Sequence, residues 1–170
     1  HNIPGRVYTR PAATERKSLI EDDLIPKITC ESCHSATPHA AGSKANDHTD
    51  RVACQTCHIP EVARELPTKM TWDWSQAGKL KDGKPYKTED EFGKHDYLTI
   101  KGAFKWAKNV TPEYFWYNGV IKSVTAQDMI DPGQVVPVSA PVGSPEDADS
   151  RIYPFKVHRG KQPYDKVNKT

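Results

Sequence analysis

No apolar run in this 170-residue chain approaches the roughly 18–20 residues that a helix needs to cross a bilayer, so a transmembrane helix is excluded. Charge of one sign is scarce as well. The 24 basic and 22 acidic side chains leave +2, whereas a nucleic-acid surface shows as a basic stripe; no nucleic-acid partner is expected. Long uninterrupted elements are missing, because 14 prolines and 10 glycines punctuate the chain. Collagen and coiled coil fall with them. Four cysteines are too few for a disulfide-dense scaffold. The chain starts at His1 without a Met or a secretory h-region, which reads as a processed chain or a piece of a longer one. What remains is one domain's worth of sequence, 36% hydrophobic, with seven histidines and four tryptophans.

The cysteines are placed tellingly. All four lie in Cys30-Glu31-Ser32-Cys33-His34 and Cys54-Gln55-Thr56-Cys57-His58. C-x-x-C-H is the pattern of covalent c-type haem attachment. Two thiols three positions apart on a helical turn each add to one vinyl group of the same porphyrin. The His that follows offers an imidazole nitrogen to the iron. The spacing C-x2-C-x20-C-x2-C also lies near that of a four-thiolate zinc site. A redox-active dithiol would need one pair only, within a thioredoxin-like βαβ pattern that is missing here. The histidines decide. With 7 His in 170 residues, chance puts one after both pairs about 0.2% of the time, while haem attachment requires both. Two haems c are expected, with Cys30, Cys33, Cys54 and Cys57 as thioether residues and His34 and His58 as proximal ligands.

A low-spin electron-transfer haem takes a second strong axial ligand, usually His or Met. Met70 and Met129 are the two thioethers, and neither lies near a motif in sequence, which favours bis-histidine ligation. His48, six residues before Cys54, His39, after Pro38, and His158, in a basic stretch, are the distal candidates. His95 reads as a solvated loop residue, and His1 as a terminal alternative. Two haems need two distal ligands and five histidines remain, so the spare ones suit a chain that works beside haems attached elsewhere. Arg51, Arg64, Arg151 and Arg159 are candidate partners for the haem propionates.

The expected fold class is mainly α with extensive irregular coil, a multihaem cytochrome c whose core the haems organise. Residues 1–29 read as an extended N-terminal arm. Residues 30–66 form the dihaem-binding segment, with a short helix at each motif and a helical turn over Glu61–Leu66. Residues 67–170 are a cysteine-free, aromatic-rich region packing on haems or on a neighbouring chain. Within it Asp82-Gly83 marks a turn and Thr99–Trp106 alternates as a short strand. The aromatics, Tyr114-Phe115-Trp116-Tyr117 among them, read as core packing, with some rings set against haem faces. Residues 131–150 form a Pro/Gly/Ser-rich loop.

With these residues in view, the chain resembles the octahaem cytochromes of the tetrathionate reductase type, as an internal two-haem segment. The stretches that carry the resemblance are His1–Gly5, His48–Pro60, Thr71–Ser75, Phe104–Val110 with Pro112–Trp116, and Tyr153–Tyr164. The resemblance implies a periplasmic or extracellular oxidoreductase with closely spaced, mostly bis-His haems and one lysine-ligated haem. Here two attachment motifs stand instead of eight, and the special lysine maps to no position, so no catalytic residue is assigned. Three function classes follow. The first is electron transfer through two low-spin haems as part of a larger multihaem redox protein, with other haem-bearing chains or the remainder of the same protein, and redox proteins, as partners. The second is the catalytic part of a reductase acting on tetrathionate, nitrite or hydroxylamine at an open or Lys-ligated haem. The third is a zinc-bound structural module.

Overall fold

The structure, a computed structural model, describes Cys30 and residues 33–169. The arm over residues 1–29 lies outside them. Two helices and eleven strands follow in chain order: α1 Lys44–Asp47, α2 Cys54–His58, β1 Thr68–Asp73, β2 Leu80–Lys81, β3 Lys84–Pro85, β4 Lys87–Glu89, β5 His95–Leu98, β6 Gly102–Ala107, β7 Glu113–Tyr117, β8 Val120–Ser123, β9 Ser139–Val142, β10 Arg151–Phe155 and β11 Arg159–Lys161. The expectation of a mainly α chain is therefore wrong. α-Helix among the described residues is confined to one turn of four and one of five residues, with a 3-10 turn at Trp74–Gln76 beside them, and strands dominate. The reason is local. Each helix is too short to repay its nucleation and stands only where a cap or a tertiary bond holds it. Beyond Pro67 the chain is rich in β-branched and aromatic residues between glycine turns, which suits strands. The helical turn over Glu61–Leu66 is absent too: between Pro60 and Pro67, Val62 pairs with Val110 as an antiparallel bridge, and Ala63 has φ +62°.

The chain divides into two compact units that interleave in sequence. One takes the chain up to His58, then Tyr114–Val124 and Pro137–Pro154; the other takes Ile59–Glu113, Thr125–Val136 and everything from Phe155.

The first unit contains both cysteine motifs. Its strand pairs are β7 with β10 and β8 with β9, the latter in register Val120↔Val142 to Ser123↔Ser139. Part of the expected 131–150 loop is thus strand. Ala53 and Tyr117 are its buried hydrophobics, and the Tyr117 ring meets Tyr153 edge-on at 5.5 Å. Ser150 is completely buried. Its hydroxyl donates to Asp147 Oδ2 at 2.9 Å, and Asn118 Nδ2 donates to the same oxygen at 2.9 Å. Arg51 closes this loop by donating to the carbonyls of Asp147, at 2.8 Å, and Pro145, with its guanidinium 4.8 Å from the Trp116 ring centre.

The second unit is built on a five-stranded sheet of order β11-β1-β6-β5-β4. β11 runs parallel to β1, and the other neighbours are antiparallel. The Asp82-Gly83 turn forms as expected, joining β2 to β3 with φ of 52° and 72°, the left-handed pair of a type I′ hairpin. The expected Thr99–Trp106 strand begins three residues late, at Gly102. That residue has φ +86°, and a Cβ there would lie 2.1 Å from the Asp73 carbonyl oxygen, so only glycine lets β5 turn into β6 this close to β1. Tyr97 and Phe104 are this unit's buried hydrophobics, each contributing roughly 1.5–3 kcal/mol.

Candidate haem-binding site

In the first unit, α2 is pinned from one strand residue. The Ile152 carbonyl accepts from Ala53 N at 3.0 Å and from Thr56 Oγ1 at 2.7 Å, while Val52 and Ile152 form a parallel bridge. One helical turn puts Cys54 and Cys57 on the same side, with Cys54 half-buried and Cys57 and His58 exposed. At the first motif, the Cys30 carbonyl accepts from Cys33 N at 3.2 Å and His34 N at 2.8 Å, a single turn. None of the four thiols is paired in a disulfide. Burial, and after it the Cys30 thiolate, push the Tyr153 phenol above its ordinary value.

His39 comes to the second motif. Its ring centre lies 6.0 Å from that of His58, with planes 21° apart. The rings are stacked, at a separation that keeps both imidazoles within reach of one metal atom given bonds of about 2.0 Å. The side chain of Asn46 sets this approach. Asn46 Oδ1 accepts from His39 N at 3.0 Å, and Nδ2 donates to the carbonyls of His39 at 3.1 Å and Ala40 at 3.2 Å. α1 is in turn started by Ser43, whose hydroxyl accepts from Ala45 N. Asn46 was missing from the sequence reading; an Asn three residues after a Ser cap is weak evidence without the fold.

The other candidates stand as follows. His48 ends α1 and is exposed; its carbonyl accepts from Arg51 N at 2.9 Å and Val52 N at 2.7 Å. His158 belongs to the second unit, with Nδ1 3.2 Å from the Lys69 carbonyl. His95 is half-buried, Nδ1 3.4 Å from a Glu89 carboxylate oxygen. His1 lies outside the described residues. Of the propionate candidates, Arg159 is bonded to Glu113 at 2.9 Å and Arg51 to its two carbonyls.

The donor set fits haem better than zinc. All four cysteines are described, yet no three His, Cys, Asp or Glu among the described residues gather as a metal ion would need. The apolar core is also thin: Ala53, Tyr97, Phe104 and Tyr117 are the buried hydrophobics among the described residues. A chain of this length ordinarily buries more, and a covalently held macrocycle beside the half-buried Cys54 would supply apolar bulk that the side chains do not.

These features define a c-type cytochrome. The chain belongs to the bacterial cytochrome c family ("Cytochrome c bacterial"), which matches residues 69–170. The crystal structure of octaheme cytochrome c from Shewanella oneidensis superposes with a TM-score of 0.75 at 50% sequence identity, over 82% of this chain. The chain spans 31% of the length of that one. None of the curated proteins matches it. The family match falls on the cysteine-free stretch, beyond both attachment motifs. Among the described residues no helix is long and apolar enough to cross a membrane.

Proposed function

We propose that this chain carries electrons through two covalently attached, low-spin haems c, in a periplasmic or extracellular multihaem redox protein of which it forms part. The observation that carries the reading is the His39–His58 pair, 6.0 Å between ring centres, beside Cys54 and Cys57 on α2. In this reading Cys54 and Cys57 would hold one haem by thioethers, with His58 and His39 as its iron ligands. Cys30, Cys33 and His34 would hold the second, for which His48 is the distal candidate in the same unit. Each haem, when bound, supplies a one-electron ferric/ferrous couple.

The protein's part is to fix the ligands. Asn46 holds the His39 backbone from both sides, and Ile152 holds α2, so neither imidazole has to reorganise between oxidation states. An iron with both axial positions filled has none left for substrate, which favours transfer over catalysis. The exposed edges of Cys57 and His58 give an electron a short way out to a neighbouring haem or redox protein.

Mass spectrometry and a pyridine haemochrome assay on the purified protein test this. Two haems add about 1.2 kDa, and the spectrum is low-spin and indifferent to cyanide and nitrite. A blank haemochrome overturns the proposal, and a high-spin band that shifts with nitrite replaces it with the reductase reading.

A further inference from the structure

A cavity of about 320 Å³ opens on one face of the second unit's sheet. Its walls come from three neighbouring strands. In register, Lys69 on β1 stands opposite Trp106 on β6, and Trp72 opposite Phe104; with a pleat of period two, these four share a face across the β1 bulge between Lys69 and Thr71. The rings are locked. Trp106 Nε1 donates to the His95 carbonyl at 2.9 Å, and Trp72 Nε1 to the Lys101 carbonyl at 2.7 Å. The Lys69 ammonium is folded over them, 4.1 Å from the Phe104 ring centre and 5.1 Å from that of Trp106. Lys94 and Lys101 stand at the same cavity. Lys94 is placed by the Asp90 turn, where Asp90 Oδ1 accepts from Phe92 N and Lys94 N, both at 2.9 Å.

Three cations therefore surround one hollow, and among the described residues no ion pair with a carboxylate involves any of them. The Glu89 carboxylate is turned to His95 and Lys87, at 3.4 and 3.8 Å. Burial, and next the Lys101 charge, hold the Lys69 amine below its ordinary value, so these two cations repel each other across the hollow. Aromatic faces relieve part of that cost for Lys69, but they leave the ammonium hydrogens without a carboxylate to meet. An anion seated there would meet all three ammonium groups at once. A bare inorganic oxyanion would leave most of the volume to water, and pockets of this size hold small organic molecules. The Trp106 ring and Leu98 supply the apolar wall.

We propose that this cavity binds a small organic anion, a carboxylate or sulfonate on a flat apolar body. The anionic end is held by Lys69, Lys94 and Lys101, and the body lies against Trp106. The site uses none of the cysteine-motif residues and does not rest on the electron-transfer reading.

Titration calorimetry on the intact haem-loaded protein at low salt tests it, with 2-naphthoate, sodium sulfate and uncharged 2-naphthol as probes. One-to-one, saturable binding of 2-naphthoate is expected. Sulfate and 2-naphthol bind at least tenfold more weakly, and the double variant Lys94→Gln/Lys101→Gln loses at least tenfold for naphthoate at an unchanged thermal midpoint. Trp106→Leu weakens naphthoate while sparing sulfate. Absence of saturation, or equal binding by the double variant, overturns the proposal. Sulfate equal to naphthoate overturns the organic part and leaves an inorganic oxyanion site. A shift of the haem absorption that persists in the double variant assigns binding to iron and overturns it as well.

Discussion

Replacing His39 by alanine tests the haem-ligand reading most directly. The change removes one imidazole from the 6.0 Å His39–His58 pair and touches nothing that holds α2, whose bonds run from Ala53 and Thr56 to the Ile152 carbonyl. His39 is exposed and its backbone stays held by Asn46, so folding should survive. With two attachment motifs in the chain, one of two haems loses a ligand. Half of the low-spin absorbance should convert to a high-spin band, and the other half should stay. The vacated space has the size of the ring removed, so millimolar imidazole should restore the low-spin spectrum. His48→Ala is the companion variant; it should leave the His58-bound haem unchanged. The assay is optical titration of the oxidised protein, read beside magnetic circular dichroism. An unaltered spectrum in His39→Ala refutes the assignment of that ligand, and a change in both halves refutes the idea that His39 serves one haem.

Asn46→Ala keeps His39 but frees its backbone, so the same haem should become a spin mixture whose low-spin share rises on cooling, read by variable-temperature absorption. Gly102→Ala forces a side chain into a left-handed backbone and onto the Asp73 carbonyl; a loss of at least about 2 kcal/mol in a denaturant melt is expected. Thr56→Val removes the 2.7 Å bond to the Ile152 carbonyl and should cost about 1 kcal/mol in the same assay. The Asp147 carboxyl is held below its usual value by the Asn118 amide first, then by the Asp149 amide, the Ser150 hydroxyl and the Arg51 charge. A depressed carboxyl contributes stability that is present above its unfolded value of 3.8 and is lost as pH falls through the lower folded value. Asp147→Asn should therefore flatten the acid limb of stability against pH, measured by thermal melts from pH 6 downward.

The c-type cytochrome class was legible in the sequence because a C-x-x-C-H run of five contiguous residues needs no tertiary context. The Asp82-Gly83 hairpin was legible for the same reason. The fold class was not. The motifs invited extension of a helical reading to the entire chain, whereas the first is a single turn on the Cys30 carbonyl and the second one helical turn held from outside by Ile152. The strands beyond Pro67 are two to six residues long, too short for period-two alternation to stand out, and the Lys69/Thr71 bulge interrupts the longest β1 run. The distal candidates show the limit clearly. His39, His48 and His158 have similar sequence credentials, and what sets His39 apart is an Asn46 amide seven positions away. The cluster of Lys69, Trp72, Phe104 and Trp106 depends on the β1–β6 register, which no local pattern encodes.

The order in which the chain visits its two units bears on how such a segment can be inherited. Between His58 and Phe155 the polypeptide passes back and forth, so any crossover or cleavage inside that span severs both units at once. A gene fragment ending in that interval before Ile152 would keep the cysteine motifs yet lose the strand residue that clamps the second of them. Recombination inside that span therefore breaks both units, so the cysteine motifs and the cysteine-free remainder travel as one indivisible cassette.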